Sequence, residues 1–271
     1  MKVKCFAKLN LTLNVFEKRG QFHPIDSIVT SIDIFDEVEV SLCKSGVRAD
    51  GAAKAALSVA DTLCGQYGCG CNIAVKSGIP LGAGLGGSSA QAAAVAYCLA
   101  LLNGKSVSDE QVKAACALSG SDVNYMLLGG LCRITGKGDE VKQLHVDDVG
   151  CFVLTTFSQK LLSGRVYAAW DELAQKPPIA DNDAVERALR RGYLDAAPLF
   201  SNCLQAAAES LSRYADGFRS ISPRSVMTGS GSAYYLCCGE AEAEKLAREL
   251  RSCGFESTVC RTVSQGIEVI S

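Results

Sequence analysis

Hydrophobic and polar residues alternate over residues 3 to 16, near the start of the chain. The apolar positions share one face and the polar positions share the other: Leu9, Leu11, Leu13 and Val15 against Lys8, Asn10, Thr12 and Asn14. A period of two residues is typical of a strand with one face in the core and one face in water. This segment is therefore predicted to be a half-buried β-strand.

Periodicity also predicts the elements that follow. Strands are expected near residues 27–34, 37–42, 72–76, 130–135, 140–145, 152–157, 225–238 and 257–263. Helices are expected over residues 52–64, 88–102, 108–119, 165–174, 183–191, 203–214 and 240–251. The pattern changes near residue 150, which predicts an α+β protein with two domains, residues 1–149 and 150–271.

A glycine-rich stretch, PLGAGLGGSSAQ at residues 80–91, precedes a helix that Ser88 or Ser89 is expected to cap. Glycine permits positive φ angles and lets a ligand approach the peptide N–H groups closely. The unpaired N–H groups and the dipole of a helix N-terminus both favour negative charge. The stretch is consistent with a phosphate-binding loop, and equally with a tight turn that binds nothing.

Two common phosphate-binding motifs do not account for this loop. Gly82-x-Gly84-x-x-Gly87 matches the dinucleotide-binding spacing, but that pattern also needs an acidic residue about 20 positions on, at the end of the next strand. Here that position falls in a helix cap at residues 106–110. The P-loop pattern needs Gly-Lys followed by Ser or Thr, which the stretch lacks. The glycine-rich stretch therefore either binds phosphate in a third way or is a turn that binds no ligand.

Composition narrows the class of protein and its partners. The chain has 271 residues, of which 48% are hydrophobic and 21% charged, with a formal net charge of −2. Such a chain can bury a core, and it offers no basic excess of the kind that nucleic-acid-binding proteins carry. No signal-peptide pattern and no long uncharged apolar stretch are found, so a cytoplasmic protein without a membrane span is expected.

Fourteen cysteines are distributed along the chain. In a chain of this size without a secretory signal, they are expected to be reduced thiols that pack as small hydrophobic side chains. Cys64, Cys69 and Cys71 lie close in sequence, but no histidine or second Cys-x-x-Cys pair accompanies them. A zinc site is therefore not favoured, and no metal-ligating residue is predicted.

Four segments, in order along the chain, resemble motifs of the GHMP kinase family. They are AKLNLTLNVFEKRGQFHPIDSIV from residue 7, Pro80-x-x-x-Gly84-Leu85-Gly86 running into Ser88-Ser89-Ala90, GSDVNYMLLGG from residue 120, and VMTGSGSAYYL from residue 226. The first segment is the most specific. It resembles the branch of the family that acts on 4-diphosphocytidyl-2-C-methyl-D-erythritol.

The resemblance implies a two-domain GHMP kinase fold, with an N-terminal domain similar to ribosomal protein S5 and a ferredoxin-like C-terminal domain. It implies that ATP, with Mg²⁺, phosphorylates the 2-hydroxyl of the cytidine diphosphate-linked alcohol, a step of isoprenoid precursor synthesis by the methylerythritol phosphate pathway. The alternatives are another small-alcohol kinase, similar to mevalonate or homoserine kinase, and a regulator that binds ATP without catalysis. The implied partner is a small molecule, and a monomer or homodimer is expected.

The resemblance also assigns roles to single residues. Lys8 and Asp122 are the implied catalytic residues, with Asp122 as general base. The implied ATP-binding residues are Pro80, Gly82, Ala83, Gly84, Leu85, Gly86, Gly87, Ser88 and Ser89, with Ser88 or Ser89 near the metal-bound phosphates. The implied substrate contacts are Asn10, Phe22 and His23, the last two at the cytosine. Residues 157–167 are expected to add contacts, with no single residue assigned.

Some residues differ from the pattern of this branch, and the assigned residues also have simpler structural explanations. Gln21, Phe22, Pro24 and Asn124 occupy positions where glycine, tyrosine, glutamate and proline are usual. Taken singly, Lys8 and Asn10 are typical of a solvated strand face, Asp122 of a helix cap, and His23 of a surface turn. The occurrence of all the motifs in family order favours the functional interpretation.

Overall fold

The computed structural model describes residues 1–270, and most of the expected elements are present with shifted ends. The strands are β1 Lys2–Asn10, β2 Thr12–Val15, β3 Ile25–Cys43, β4 Val47–Asp50, β5 Gly70–Lys76, β6 Cys132–Gly136, β7 Glu140–Gln143, β8 Cys151–Thr156, β9 Ser201–Asn202, β10 Val226–Met227, β11 Tyr234–Cys237, β12 Glu256–Val263 and β13 Ile267–Val269. The helices are α1 Lys54–Tyr67, α2 Gly87–Leu102, α3 Glu110–Ser119, α4 Val123–Leu128, α5 Ser163–Asp171, α6 Asn182–Leu189, α7 Tyr193–Ala196, α8 Gln205–Ser210, α9 Ala215–Ile221 and α10 Glu240–Ser252, with a 3₁₀ turn at Ala197–Leu199.

The long central strand β3 corrects one expectation. Two strands were predicted, near residues 27–34 and 37–42, but β3 continues through both for 19 residues. The register with β1 shifts between Phe6 and Ala7, opposite the joint between the two predicted strands. A β-bulge bends a strand without ending it. The interruption of the pattern near Phe35 therefore marks an irregularity in pairing, since the strand continues beyond it.

Two other expectations also need correction. Residues 225–238, predicted as strand around the glycine stretch TGSGS, form only two short strands, β10 and β11, on either side of a turn that contains Gly229 and Gly231 at positive φ. The helix cap expected at residues 106–110 involves no side-chain cap hydrogen bond, because Asp109 is the N-cap of α3 and makes none.

All the strands pair into one sheet, in which the path β10-β11-β8-β12-β3-β1-β13 joins both halves of the chain. Strand β12 makes the connection. Its residues 256–261 pair with β8, and its last two residues, Thr262 and Val263, pair with β3. The elements of the second half are thus held against β1 and β3 by main-chain hydrogen bonds.

Strand β8 lies between two hydrophobic clusters. Phe152 and Leu154 belong to the larger cluster, which consists mainly of residues from the first half of the chain. Cys151 and Val153 belong to a smaller cluster around Trp170. Because alternate side chains of a strand point to opposite faces, β8 contributes to both cores. The division into domains at residue 149 stays a prediction.

The polar face of the first strands is buried, so the prediction of a half-buried strand is wrong. Asn10 and Thr12 are 6% and 0% exposed. Thr12 Oγ1 donates to Asn182 Oδ1 at 2.6 Å, and Asn14 Nδ2 donates to the Ala180 carbonyl at 2.9 Å. Residues of the second half of the chain cover the face that the sequence pattern assigned to water, and their polar groups pair with it as burial requires.

Asp36, which is fully buried, fixes the approach to the glycine-rich stretch. Its Oδ1 atom accepts from the N–H groups of Gly78 and Ile79 at 2.8 and 2.7 Å, and its Oδ2 atom accepts from Gln91 Nε2 at 2.7 Å. Hydrogen bonds to a charged acceptor are stronger than those between neutral groups. One carboxylate therefore holds both the segment that enters the stretch and the helix that leaves it.

The fourteen cysteines are free thiols in the structure, and most are buried. Burial raises the pKa of Cys98, Cys116 and Cys132 to about 12. These thiols stay neutral and pack as small hydrophobic groups, as expected from the sequence.

Over residues 1–270, no helix is both long and apolar enough to cross a membrane.

Candidate active site

A cavity of about 400 Å³ lies where β1, the glycine-rich stretch, the start of α4 and the start of α5 meet. Its lining comes from both halves of the chain: Lys8, Asn10, Leu13, His23, Ile25, Pro80, Leu81, Gly82, Ala83, Gly84, Leu85, Gly86, Gly87, Ser88, Ser89, Ser121, Asp122, Lys137, Leu161, Ser163, Tyr167, Leu204, Gly229, Ser230 and Gly231. Every residue that the sequence assigned to the site is in this set except Phe22.

Glycine is required in the loop for two separate reasons. Gly82, Gly84 and Gly86 have φ angles of 69°, 79° and 77°, a region that residues with a Cβ rarely adopt. A Cβ at Gly84 would also overlap the carbonyl oxygen of Thr228, and one at Gly86 would overlap Met126 Cε. The loop is therefore packed tightly against the 228–231 turn and against Met126 of α4.

The carbonyl groups of the loop are bonded to the rest of the protein. Lys8 N donates to the Leu85 carbonyl at 3.0 Å, and Ala233 N donates to the Ala83 carbonyl at 3.1 Å. These two bonds join the loop to β1 on one side and to the 228–233 segment on the other. The loop is anchored through its acceptors, which leaves N–H donors at its end available for a ligand.

The start of α2 offers those donors. Gly86 is the N-cap residue, so the prediction that Ser88 or Ser89 caps the helix is wrong. The N–H of Ala90 donates to the Gly86 carbonyl at 2.9 Å, and the N–H groups of residues 87–89 precede it. No side-chain cap hydrogen bond is made at this end of the helix. Unpaired donors, the helix dipole and a glycine-rich loop fit the phosphates of a nucleotide.

Lys8 lies at the floor of the cavity, 5% exposed. Its Nζ atom donates to Asn10 Oδ1, and a Cβ added at Gly229 would lie 3.1 Å from it. Burial lowers the pKa of the Lys8 ammonium, and the charge of Asp122 partly opposes this shift. The lysine that the pattern placed in water is thus desolvated, and the protonated form of a desolvated amine acts on a ligand more strongly than a solvated ammonium does.

Asn10 orients this lysine. Besides the Lys8 ammonium, Asn10 Oδ1 accepts from the N–H of Gly229 at 3.0 Å, while Asn10 Nδ2 donates to Ser27 Oγ at 2.8 Å. The amide group is engaged with three partners of the protein. It lines the cavity, yet most of its hydrogen-bonding capacity is already used.

Asp122 stands at the N-cap position of α4, but its carboxylate makes no cap hydrogen bond. Ser121 Oγ donates to Asp122 Oδ1 at a long 3.4 Å. The carboxylate acts on its surroundings through its charge: burial first, and then Asp122, raise the pKa of Tyr167 to about 12. A cap role would engage the carboxylate with the helix N–H groups, and here it is available to a ligand in the cavity.

His23 is not the surface residue that its turn position suggests, because its side chain is only 7% exposed. Its Nδ1 atom donates to the Phe16 carbonyl at 2.9 Å. The ring stacks on Tyr167 with a centroid distance of 5.3 Å and meets Trp170 edge-on at 5.4 Å. Phe22, in contrast, is 45% exposed.

Several lining residues were not assigned from the sequence. Gly229, Ser230 and Gly231 belong to the late glycine-rich motif, which was the only signal for them, and Ser163 and Tyr167 fall within the expected segment 157–167. Ser163 Oγ lies 2.7 Å from Ser230 Oγ and joins that segment to the glycine-rich turn. Ser121 lies in the motif that contains Asp122, while Lys137 had no signal, because its position depends on how distant elements pack.

Across the part of the chain that the structure describes, no group of three or more His, Cys, Asp or Glu side chains is arranged to hold a metal ion. The donors at the start of α2 and the hydroxyl groups of Ser88 and Ser89 instead fit phosphate oxygens that bring a cation with them.

Comparison with protein families and curated proteins gives concordant matches. Residues 52–130 match the family described as GHMP kinases N terminal domain. A protein of Desulfitobacterium hafniense (strain Y51) named 4-diphosphocytidyl-2-C-methyl-D-erythritol kinase is 30% identical, over 96% of this chain and 95% of that protein. A protein of the same name from Moorella thermoacetica (strain ATCC 39073 / JCM 9320) is 30% identical, over 97% of this chain and 99% of that protein.

Solved structures share the fold. A crystal structure of 4-(cytidine 5'-diphospho)-2C-methyl-D-erythritol kinase superposes with a TM-score of 0.81 at 26% identity, covering 97% of this chain and 100% of that one. The homoserine kinase of Cytophaga hutchinsonii superposes with a TM-score of 0.71 at 18% identity, covering 100% and 97% of the two chains. The second likeness concerns the fold alone.

Proposed function

The chain belongs to the GHMP kinases, in the family of 4-diphosphocytidyl-2-C-methyl-D-erythritol kinases, and from this premise we propose that it phosphorylates the 2-hydroxyl of that alcohol with ATP. The observation that carries the proposal is one cavity lined by a glycine loop at a helix N-terminus, a buried lysine and an aspartate that caps nothing. Phosphoryl transfer depends mainly on positioning and charge stabilisation, and these groups supply both.

The glycine loop and the start of α2 would bind the triphosphate. The N–H groups of residues 87–89 donate to phosphate oxygens, and the hydroxyl groups of Ser88 and Ser89 lie beside them in the lining. When bound, ATP supplies the phosphoryl group and its Mg²⁺ neutralises charge on the phosphates. The lack of side chains at Gly84 and Gly86 lets the loop pack against the Thr228 carbonyl and Met126, which holds these donors in place.

Asp122 is the proposed general base. Its carboxylate accepts the proton of the acceptor hydroxyl while that oxygen bonds to the γ-phosphorus and the bond to the β,γ-bridging oxygen breaks. Lys8, which is buried, stabilises in its protonated form the negative charge on the transferring group. Asn10, assigned to the substrate by resemblance, acts in this proposal mainly by holding the Lys8 ammonium in place.

The cytidine end of the acceptor would lie toward His23. The ring is buried against Tyr167 and Trp170, and Nδ1 is held by the Phe16 carbonyl, so Nε2, which lies 3.3 Å from Asp171, is the atom that would meet one edge of a base. Phe22 lies on the same turn, half exposed and outside the cavity lining, so its side chain would have to move to stack on a bound base. The contact with Phe22 stays a prediction from the resemblance.

The experiment is an ADP-release assay with purified protein, ATP and Mg²⁺. The cytidyl alcohol, mevalonate and homoserine are compared as acceptors at matched concentrations. Turnover with the cytidyl alcohol alone supports the proposal. Turnover with mevalonate or homoserine would place the chain among other small-alcohol kinases, and no ADP release with any acceptor, despite measurable ATP binding, would indicate a regulator.

A further inference from the structure

A second amine lines the cavity, and neither the sequence motifs nor the proposed chemistry uses it. This amine belongs to Lys137, at the tip of the hairpin formed by β6 and β7. We propose that Lys137 is a specificity-determining residue that binds the diphosphate of the acceptor; this inference rests on the proposed function. It adds a phosphate subsite for the acceptor, separate from the loop that binds the nucleotide.

The hairpin tip is built to hold this residue in place. Gly136 and Gly138 flank Lys137 with φ angles of 70° and 100°. The N–H of Lys137 donates to Asp139 Oδ1 at 3.1 Å, and the N–H of Gly138 donates to the Thr135 carbonyl at 3.1 Å. A turn closed by both a side chain and the main chain gives Lys137 a defined backbone position.

The tip lies on the side of the cavity where the acceptor hydroxyl must be. A Cβ added at Gly138 would lie 3.0 Å from Ser121 Cβ, so the tip packs directly on the residue that precedes Asp122. The general base marks the position of the hydroxyl that reacts. A ligand group bound by Lys137 is therefore part of the acceptor, next to its reacting end.

The Lys137 ammonium is available for such a ligand. Its Nζ atom lies 3.7 Å from Asp139 Oδ2, and the side chains of Lys137 and Asp139 are 56% and 39% exposed. An ion pair that long and that exposed contributes little. Lys8, in contrast, is buried and held by Asn10. Of the two amines in the cavity, Lys137 is the one free to move toward a new anion.

The diphosphate of the acceptor is an anion that suits the position of Lys137. A diphosphate is negatively charged along its length, and a lysine ammonium is a compact charge with three donors that suits phosphate oxygens. The N–H groups at the start of α2 are taken by the nucleotide in the proposed function. The diphosphate that links cytidine to the alcohol needs a separate cation, and Lys137 supplies it beside Asp122.

Calorimetric titration of the purified protein tests the inference without relying on turnover. The probes are cytidine 5'-diphosphate and cytidine, each added with a non-hydrolysable ATP analogue at saturation so that the glycine loop is blocked. The wild type should bind the diphosphate more tightly than the nucleoside. In Lys137→Met, affinity for the diphosphate should fall about tenfold, as for loss of a charged hydrogen bond, while affinity for cytidine stays unchanged.

Two further variants sharpen the comparison. Lys142→Met removes the same charge from the same hairpin, but Lys142 pairs with Glu186 at 3.3 Å outside the cavity lining, so its affinity for the diphosphate should match the wild type. Lys137→Arg keeps the charge and should recover most of the loss. With the full acceptor, Lys137→Met should raise KM about tenfold and change kcat less than twofold, because the contact is made equally in the ground and transition states.

The outcomes separate the two proposals. Equal affinity of wild type and Lys137→Met for the diphosphate overturns the inference and leaves the kinase assignment standing. A loss of ADP affinity in Lys137→Met, measured without the ATP analogue, also overturns it, because the amine would then serve the nucleotide. Failure of the wild type to bind either cytidine compound, together with no turnover of the cytidyl alcohol, overturns the proposed function and with it the inference.

Discussion

Asp171 Oδ1 lies 3.3 Å from His23 Nε2, and this contact joins the end of helix α5 to the turn that carries His23. The other ring nitrogen donates to the Phe16 carbonyl, and Tyr167 from the same helix covers one face of the ring. The orientation of His23 is therefore set by the protein before any ligand binds.

Replacement of His23 by alanine is expected to raise KM for the cytidyl alcohol about tenfold and to lower kcat less, because a contact to the base is remote from the reacting bond. Asp171→Asn should raise KM by less than about fivefold, since Asp171 is 41% exposed and an exposed pair contributes little. Steady-state kinetics measures both. A larger effect from Asp171→Asn than from His23→Ala would show that His23 does not contact the substrate.

If the glycine loop binds phosphate, the variants Gly84→Ala and Gly104→Ala should differ in their affinity for ADP, although both glycines have positive φ. Gly84→Ala should weaken ADP binding about tenfold or more, because the added Cβ overlaps the Thr228 carbonyl and displaces the phosphate-binding groups. Gly104, at the far end of the same helix, has a φ of 67° and nothing within 4 Å of an added Cβ. Gly104→Ala should cost about 1 kcal/mol of stability from backbone strain and leave ADP affinity unchanged.

Calorimetric titration with ADP measures the affinity of both variants, and thermal unfolding measures their stability. Equal ADP affinity for Gly84→Ala and the wild type, with the fold intact, would mean that the loop is a turn without a ligand.

Asp122→Asn is expected to lower kcat about a hundredfold or more, as loss of a general base does, with little change in ATP affinity. The fold should be retained, because the carboxylate makes no cap hydrogen bond. Asp109→Asn is a matched control: Asp109 is also an N-cap residue without a side-chain cap bond, and it lies outside the cavity lining. Near-normal turnover of Asp122→Asn in a single-turnover assay would remove Asp122 from the mechanism.

The buried lysine predicts a basic limit to activity. Burial lowers the pKa of Lys8 from its ordinary value of 10.5, so the charged form is lost as pH rises through that lower value. If the charge stabilises the transferring group, kcat/KM should decrease as the pH rises, and the midpoint of this decrease should lie below the ordinary lysine pKa of 10.5. Lys8→Arg, although less active, should lack this limb because a guanidinium keeps its charge. The same basic limb in Lys8→Arg would assign the titration to another group.

The sequence by itself determined the fold family and the kinase class, and both are confirmed by the family match and the relatives. The reason is that the informative features are local. Positive φ at Gly82, Gly84 and Gly86 and an apolar helix directly after them are properties of contiguous residues. The roles of Lys8 and Asp122 were also proposed from local motifs, and they stay predictions until the kinetics above are measured.

The tertiary structure decided what surrounds those motifs. Lys8 and Asn10 are buried because residues such as Thr228, more than 200 positions away, pack over a strand face that looks solvated in sequence. Gly86, and not a serine, is the N-cap of α2 because the loop is fixed from outside itself, by Lys8 on one side and by Ala233 on the other.

Lys137 lies at the cavity because of how strands far apart in the sequence pair and pack. Residues of β6 pair with β3 and with β7, and the tip between β6 and β7 then meets Ser121. Burial and proximity between distant residues result from how faces pack, and periodicity within a single segment carries no information about which distant face covers it.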